Sequence, residues 1–360
     1  MESTSPACES SSGRNSGNSE ENSVQTIIGL ERRRGLKSGP FQPRPAYRAF
    51  GEGSITRLTR YRDTDGQEKI GASTDSNQIV EVKKSGDSGE PLLEFLQGRD
   101  IEKKVQSAIK NGVGGGKNQV VKLDRVTVLP PVRRPGKIIC MGGNFSDHLN
   151  EGASSLPPFP ISFLKAPSAL TGHLAPILYP PKVKLLDYEV ELAAVIGQRC
   201  KDVSKEDALD YVAGFSVFDD ISARDIQFAE MKRGFCNLGK NFATFAPMGP
   251  YLVTPDQAGE PDNMKMELRV NGSTRQLSST KMMVFKIREL IEFFSSMTLE
   301  PGDVITSGTP SGVAIYRKPD KEPYLLRPGD VIESEIESLG RLKNTVVEDK
   351  AAYRVSSRNP

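Results

Sequence analysis

The chain has 360 residues, with 48 basic and 46 acidic side chains, 36% hydrophobic residues and a net charge of +2. This near-neutral balance gives no global field that would attract nucleic acid or anionic lipid. No apolar run approaches the roughly 18 residues that a membrane helix needs, so we expect neither a membrane nor a nucleic-acid partner. The apolar fraction is low for a globular chain, which indicates that part of the length lies outside any core.

Cysteines and histidines limit the kinds of metal site. The four cysteines form no C-x-x-C pair, so neither a disulfide framework nor a zinc finger is expected, and a reducing compartment fits best. The two histidines are His148 and His173. A site built on several histidines is therefore excluded.

The first 53 residues are polar and predict a disordered segment. Ser, Asn, Gly and Glu dominate its first part, and a basic, proline-interrupted stretch follows from Arg32 to Arg48. Mitochondrial targeting segments are rich in Arg and Ser and poor in acids. The early glutamates argue against such a segment and the later arginines argue for it. A mitochondrial and a cytoplasmic location both stay open, with a slight preference for mitochondria.

Residues 54–134 predict a small, β-rich accessory domain. The stretch from Ile55 to Tyr61 alternates like a strand. Ile101, Val105 and Ile109 recur at helical spacing. We therefore expect strands and one amphipathic helix before the main domain.

Residues 135–350 are rich in strand patterns and predict the catalytic domain, with a tail over 351–360. The predicted strands are Lys137–Met141, Tyr188–Ile196 and Tyr211–Phe218, the predicted helices are one opened by Ser204 and one over Phe285–Met297, and turns at 301–303 and 328–330 each lead into a further strand.

One short segment alternates acidic and apolar residues. On a strand, its Asp187, Glu189 and Glu191 share one face, and like charges this close are unfavourable without a cation or a shifted pKa. A second strand ends in Asp219 and Asp220 and could bring another carboxylate alongside. Such oxygen ligands favour Mg²⁺, Mn²⁺ or Ca²⁺ over zinc. A solvated acidic strand face explains the same spacing, so both interpretations stay open.

A histidine and a glutamate stand three residues apart at His148 and Glu151. On a helix these positions are neighbours, and the carboxylate could orient the imidazole and raise its basicity. The pair would then serve as a general base. A surface helical pair with no catalytic role is the competing interpretation.

Several motifs follow the order and spacing of one enzyme family. The segment Gly142-Gly143-Asn144-Phe145, followed by His148 and Glu151, resembles the G-x-N-Y-x-x-H-x-x-E opening of the fumarylacetoacetate hydrolase superfamily. Further matching segments are Asp187-Tyr188-Glu189-Val190-Glu191-Leu192, Asp219-Asp220-Ile221-Ser222-Ala223-Arg224-Asp225, Gly239-Lys240-Asn241-Phe242, Val270-Asn271-Gly272, Pro301-Gly302-Asp303-Val304-Ile305 and Ser307-Gly308-Thr309-Pro310-Ser311-Gly312-Val313. The resemblance covers about residues 54–348. It is closest to the fumarylacetoacetate hydrolase domain-containing proteins of the second type.

The resemblance implies an α+β fold built on a mixed β-sandwich or roll, paired into a homodimer, with Mg²⁺ or Mn²⁺ held by carboxylates. The residues that it implies are Glu189, Glu191 and Asp220 for the metal, His148 and Glu151 as a catalytic dyad on a lid, Lys240 for enolate charge, and Gln227, Thr309 and Arg224 for substrate. Two departures bear on substrate identity. Phe145 stands where the family usually has Tyr, and a Trp common before the lysine is absent, with Phe235 and Cys236 in that area.

The resemblance also implies chemistry on small 2-oxo dicarboxylic acids. Family members cleave acylpyruvates, decarboxylate oxaloacetate or interconvert its enol and keto forms, and a metal-stabilised enolate is common to all three reactions. The second-type branch favours oxaloacetate tautomerase activity. Hydrolysis of an acylpyruvate-like substrate, decarboxylation of oxaloacetate and a non-catalytic metal-binding role remain the alternatives.

Overall fold

The computed structural model describes residues 57–73, 77–84, 89–97, 101–113 and 120–350. They form a large mixed sheet, a five-stranded sheet, a two-stranded ladder and several short helices. The predicted α+β fold built on a mixed β-sandwich or roll is confirmed. The first 53 residues and the tail lie outside the described residues, so what the sequence indicates about them stays a prediction.

The described residues contain nineteen strands. In chain order they are β1 (Arg57–Arg62), β2 (Glu68–Ser73), β3 (Gln78–Lys84), β4 (Val120–Lys122), β5 (Thr127–Leu129), β6 (Ile138–Gly142), β7 (Ile161–Lys165), β8 (Leu170–Thr171), β9 (Pro176–Tyr179), β10 (Leu186–Asp187), β11 (Val190–Ile196), β12 (Val212–Asp219), β13 (Ser222–Ala223), β14 (Ala246–Val253), β15 (Lys265–Val270), β16 (Ser273–Ser279), β17 (Val304–Thr306), β18 (Val331–Ile336) and β19 (Gly340–Glu348). The large sheet runs β4-β3-β2-β1-β14-β12-β11-β17-β6-β7, with β5 beside β1 and β8 beside β14.

The centre of the large sheet is the antiparallel pair β11 and β12. Every residue of both strands is buried, because each is an almost continuous apolar run that suits a sheet covered on both faces. Val190 is paired with Asp219, and the backbone N–H of Asp220 donates to the carbonyl of Glu189 at 2.9 Å. This register places the acid before β11 beside the acid after β12.

The second sheet has the order β16-β15-β18-β19-β9. Buried residues alternate with partly exposed or exposed ones along β15 and β18, as expected for a sheet with one face on the core. Met266, Leu268, Ile332 and Ile336 lie on that buried face. The two predicted proline-glycine turns lead into β17 and β18, as expected.

Helices are short and carry little of the architecture. They are α1 (Pro91–Leu96), α2 (Ile101–Val113), α3 (Ser146–Glu151), α4 (Arg224–Met231), α5 (Pro255–Ala258) and α6 (Ile287–Ser295). The predicted amphipathic helix over 285–297 corresponds to α6, which buries its apolar face in the core. None of the helices in the described ranges has both the length and the apolar character needed to cross a bilayer.

The prediction of a helix that begins at Ser204 is wrong. Only a 3₁₀ turn forms there, at Ala208–Tyr211. The Ser204 hydroxyl donates to the Asp207 carboxylate at 2.8 Å, and the backbone N–H of Asp207 lies 3.3 Å from that hydroxyl. This is the side-chain bond of a helix N-cap, so the start signal is present. Strand β12 begins at Val212, which leaves room for only one short turn before the sheet.

Strands β1–β5 form the region predicted as an accessory domain. They join the large sheet, because β1 pairs with β14 through Leu58 and Leu252. The helix predicted from Ile101, Val105 and Ile109 is α2, and the first predicted strand is β1. The boundary at residue 134 stays a prediction, since the sheet continues across it.

Candidate active site

Three buried carboxylates form the centre of the site. Glu189 precedes β11, Glu191 lies within it and Asp220 follows β12. One oxygen of each lies within 4.8 Å of one from each of the other two, and each residue is at most 5% exposed. Side chains two apart on a strand share a face, which explains why both glutamates point the same way.

Cationic side chains surround these acids. The Lys240 ammonium lies 2.6 Å from both Glu189 Oε2 and Asp220 Oδ2. The Arg224 guanidinium donates to Glu189 Oε1 at 2.5 Å, and the Lys165 ammonium donates to Asp220 Oδ1 at 2.5 Å. Burial alone would lower the pKa of Lys240, but Asp220 and Glu189 raise it above the usual lysine value, so this side chain stays charged.

Glu191 differs from the other two acids. Among the described residues it makes no ion pair, and its bond is from the backbone N–H of Gly308 at 3.2 Å. Burial, with the charges of Asp220 and Glu189, raises the pKa of Glu191 well above its usual range. Burial also opposes ionisation of Glu189, yet Arg224 and Lys240 outweigh it and lower the pKa of Glu189.

The donor set fits a hard divalent cation. All three candidate ligands are carboxylates, and one of them is buried without a cationic partner in the described part of the chain. A divalent ion would neutralise that charge and suits oxygen ligands of this kind. Three carboxylates also leave about three octahedral positions for other ligands.

Asp187 was predicted to share the face of the two glutamates, but it lies outside the trio. The predicted strand over Tyr188–Ile196 is interrupted, because β10 ends at Asp187 and β11 begins at Val190. Strand β10 pairs with β13, whereas β11 pairs with β12. The chain therefore changes partner between them, and the strict alternation of faces does not extend across Tyr188.

The predicted dyad forms on α3. His148 Nδ1 lies 2.8 Å from Glu151 Oε1, and the other oxygen of Glu151 accepts the backbone N–H of Gly312 at 2.9 Å. An ionised carboxylate only accepts, so Nδ1 carries the proton and Nε2 is left as the basic nitrogen. If His148 were protonated at both ring nitrogens, its charge would also lower the pKa of Glu189, after Arg224 and Lys240.

The three predicted substrate residues are all at least 92% buried beside the trio, and the contacts described for them are within the protein. Arg224 also donates to Asp187 Oδ2 at 2.8 Å and to Gln227 Oε1 at 3.0 Å. The Thr309 hydroxyl donates to the carbonyl of Val190 at 3.0 Å and accepts from Gln276 Nε2 at 2.8 Å. Their roles towards substrate stay predictions.

The two departures from the family pattern differ in their surroundings. Phe145 is fully buried in the hydrophobic core just before α3, so the lost hydroxyl is replaced by apolar packing. Phe235 is 68% exposed, whereas Cys236 is partly buried and its pKa is raised by burial. The first departure therefore affects how the dyad helix is held, and the second affects the rim of the site.

Sequence reasoning missed Lys165. This side chain is 1% exposed, and its ammonium bonds to Asp220 Oδ1 and to the carbonyl of Ile221 at 3.2 Å. One signal was available, because Lys165 is the only charged residue at the end of the otherwise uncharged strand β7. A buried lysine requires an acidic partner, which its position alone could not identify.

The family model for the C-terminal region of fumarylacetoacetate hydrolase matches residues 137–347. The chain belongs to the fumarylacetoacetate hydrolase family. The resemblance found in the sequence motifs, including that to proteins of the second type, is confirmed. The chain is therefore an enzyme of this family.

Several curated relatives are named for one activity. Bovine "Oxaloacetate tautomerase FAHD2A, mitochondrial" is 47% identical over 258 residues, which cover 71% of this chain and 79% of that protein. The Xenopus laevis "Oxaloacetate tautomerase fahd2, mitochondrial" is 38% identical, covering 81% and 90%. Among solved structures, fumarylacetoacetate hydrolase from Exiguobacterium antarcticum has a TM-score of 0.66 at 34% identity, covering 81% of this chain and 99% of that one.

Glu191→Gln is expected to abolish metal binding while stabilising the metal-free protein. Loss of one of the three candidate ligands should weaken Mg²⁺ and Mn²⁺ binding by at least roughly 100-fold, which isothermal titration calorimetry would measure. After chelation, removal of the uncompensated buried charge should raise the unfolding temperature by about 2–6 °C at pH 8.

The gain in stability should depend on pH. Because the pKa of Glu191 is raised in the folded protein, its cost is absent below the unfolded value of about 4.3 and grows as the pH rises. Glu300→Gln is the matched control, since Glu300 is exposed and paired with Arg199 at 3.0 Å. Unchanged metal affinity in Glu191→Gln would contradict the assignment of the trio.

Proposed function

We propose that this chain is an oxaloacetate enol–keto tautomerase that depends on Mg²⁺ or Mn²⁺. The observation that supports it most directly is a hydrogen-bonded His148–Glu151 pair beside three buried carboxylates. The names of the bovine and Xenopus relatives support the substrate, a small 2-oxo dicarboxylic acid. Both observations concern the same proton-transfer chemistry.

The trio would hold the cation through Glu189, Glu191 and Asp220. When bound, the cation would polarise the 2-oxo group of the substrate and favour its enolate form. The three cations around the trio hold Glu189 and Asp220 in place. Arg224 and Lys240 also lower the pKa of Glu189 and so favour its ionised form, which metal binding requires.

The dyad would move the proton. Enol–keto exchange needs a proton to be taken from one site of the substrate and returned to another, and a neutral imidazole is suited to both steps near pH 7. Glu151 holds one proton on Nδ1 of His148, so Nε2 would be the nitrogen that takes a proton from one site of the substrate and returns it to another. We propose that helix α3 is part of a lid that orders over the substrate, as the family resemblance implies.

Lys240 would stabilise negative charge that develops on the substrate oxygen. Its ammonium is 2% exposed and is held by two carboxylates of the trio, so its position is fixed before substrate arrives. A fixed charge in a buried site is more effective than a mobile one in water. Gln227, Thr309 and Arg224 complete the proposed substrate contacts.

Hydrolysis of an acylpyruvate-like substrate is the second candidate. It would use the same dyad to activate water rather than to shuttle a substrate proton. Decarboxylation of oxaloacetate would use the same enolate. A metal-binding role without catalysis is disfavoured by the intact dyad and by the buried Lys240.

Purified protein with Mg²⁺ is expected to accelerate enol–keto exchange of oxaloacetate, which ultraviolet absorbance follows. His148→Gln should slow the exchange by roughly 10²–10⁴-fold, as loss of a general base does. Glu189→Ala should remove the acceleration, because the metal and Lys240 would lose a shared partner.

Asn150→Ala is the control on the same helix, since Asn150 is exposed and lies outside the dyad. The variant should keep the parent rate. A parallel assay with acetylpyruvate separates the two candidates: pyruvate release without oxaloacetate exchange would favour the hydrolase. Equal rates for Glu189→Ala and the parent would contradict the metal-dependent reaction.

We also propose a mitochondrial location, supported by the names of the relatives and by the arginines at positions 32–34. A full-length fusion with a C-terminal fluorescent tag should colocalise with a matrix marker. Removal of residues 1–53, or charge reversal of those three arginines, should leave the fusion in the cytoplasm. A full-length fusion that is diffuse in the cytoplasm would contradict the proposal.

We further propose a homodimer that uses the edge of the large sheet. Strand β7 ends that sheet as far as the described residues extend, and Ile161 and Leu164 on it are 44% and 52% exposed. Apolar edge strands favour pairing with another chain.

Light scattering should give about twice the chain mass of 39.3 kDa, and Ile161→Lys should reduce it to the mass of one chain. Leu277→Lys, at an exposed leucine of β16, should leave the mass unchanged; a monomeric parent would contradict the proposal.

A further inference from the structure

Asp187 is a buried acid beside the trio that neither holds metal nor touches the dyad directly. We propose that Asp187 is a positioning residue that ties the ligand Glu189 to the His148–Glu151 pair through residues 312–316. The proposal rests on the proposed function for its kinetic consequences. Its structural part depends only on contacts within the chain.

The first half of the connection runs through Arg224. The guanidinium donates from Nε to Asp187 Oδ2 at 2.8 Å and from a terminal nitrogen to Glu189 Oε1 at 2.5 Å. A planar guanidinium fixes the relative orientation of the two acids, because its donors diverge at fixed angles. All three residues are at most 5% exposed, so little water screens these contacts.

The second half runs through backbone N–H groups. Asp187 Oδ1 accepts the N–H of Ala314 at 2.8 Å, and Oδ2 accepts that of Ile315 at 3.2 Å. Two residues earlier, the N–H of Gly312 donates to Glu151 Oε2 at 2.9 Å. One residue later, the Tyr316 ring lies 5.7 Å from the His148 ring.

The segment therefore has Asp187 on one side and the dyad on the other. Its path near Gly312 is fixed further, because Arg317 donates to the Gly312 carbonyl at 3.0 Å. A Cβ on Gly312 would lie 2.3 Å from the carbonyl oxygen of Arg275, so the segment packs tightly there. A shift at Ala314 would move the N–H that orients Glu151, and with it the imidazole.

Asp187→Asn is the variant that isolates this role. The amide keeps the size of the side chain and one oxygen for the N–H of Ala314. Its NH₂ group would face the donors of Arg224 and Ile315, where only an acceptor fits. Asp225→Asn is the matched control, since Asp225 also accepts two backbone N–H groups, those of Lys184 and Leu185, but contacts neither the trio nor the dyad.

The first readout does not use activity. Because the chain has two histidines, the ring signals of His148 are identifiable in protein labelled with ¹³C-histidine by comparison with His148→Gln. Asp187→Asn should shift the His148 signals and leave those of His173 in place, with and without Mg²⁺. Asp225→Asn should move neither. Unmoved His148 signals in a folded Asp187→Asn protein would overturn the proposal, whatever reaction the enzyme performs.

The second readout is kinetic. Misplacement of a catalytic group by a fraction of an ångström should lower kcat for oxaloacetate exchange by roughly tenfold or more, with KM changed less than about twofold. In a Glu151→Gln background, Asp187→Asn should cost little further, because the two residues act through one group. Fully additive effects on kcat would mean that Asp187 does not act through the dyad and would overturn the proposal.

Ala314→Pro is a second variant that tests the same connection if Asp187→Asn fails to fold. It removes one N–H from Asp187 and leaves the contact between Asp187 and Arg224 intact. Ala314 opens a 3₁₀ turn after an extended Val313, a position where proline is tolerated. The same shift of the His148 signals is expected, and a folded variant with parental signals would contradict the connection. If the parent lacks tautomerase activity but the variants still shift the His148 signals, only the proposed function is rejected.

Discussion

Burial of four acids with fewer cations is the constraint on which the site depends. Asp187, Glu189, Glu191 and Asp220 are all buried within the described residues, and the ion pairs described for them come from Lys165, Arg224 and Lys240. Breaking one such buried pair costs about 3–5 kcal/mol, because an uncompensated charge remains. Among the described residues, Glu191 is the one of these four acids that makes no ion pair, and its pKa is raised by burial and by the charges of Asp220 and Glu189. A divalent cation bound to these carboxylates would therefore offset the excess of acids over cations.

The fold creates this cluster through strand register. The acids come from two antiparallel strands, and the pairing of Val190 with Asp219 brings Glu189 beside Asp220. A slip of one residue would turn Glu191 to the opposite face of the sheet. Since β11 and β12 are buried on both faces, the apolar packing that fixes the register also fixes the positions of the three carboxylates.

Features that depend on the spacing of nearby residues, or on family motifs, were predictable from the sequence. Spacing suggested that Glu189 and Glu191 share a face and that His148 and Glu151 meet, and family motifs added Asp220 and Lys240. Partners that come from distant parts of the chain were not predictable: Lys165 meets Asp220 across 55 residues, and Gly312 meets Glu151 across 161. The helix expected at Ser204 does not form because strand β12 begins at Val212 and the sheet leaves room for only one 3₁₀ turn.

The dyad depends on tertiary contacts more than on its own helix. Helix α3 has six residues, which is too short to be stable alone. The buried Asn144 amide before it donates to the carbonyls of Phe285 and Ser307, and Gly312 holds Glu151 from the other side. The geometry of His148 is thus set by loops that also contact β17 and the buried carboxylates. Phe145, packed in the core at the start of α3, secures the same helix by burial where a tyrosine would bring a hydroxyl that needs a partner.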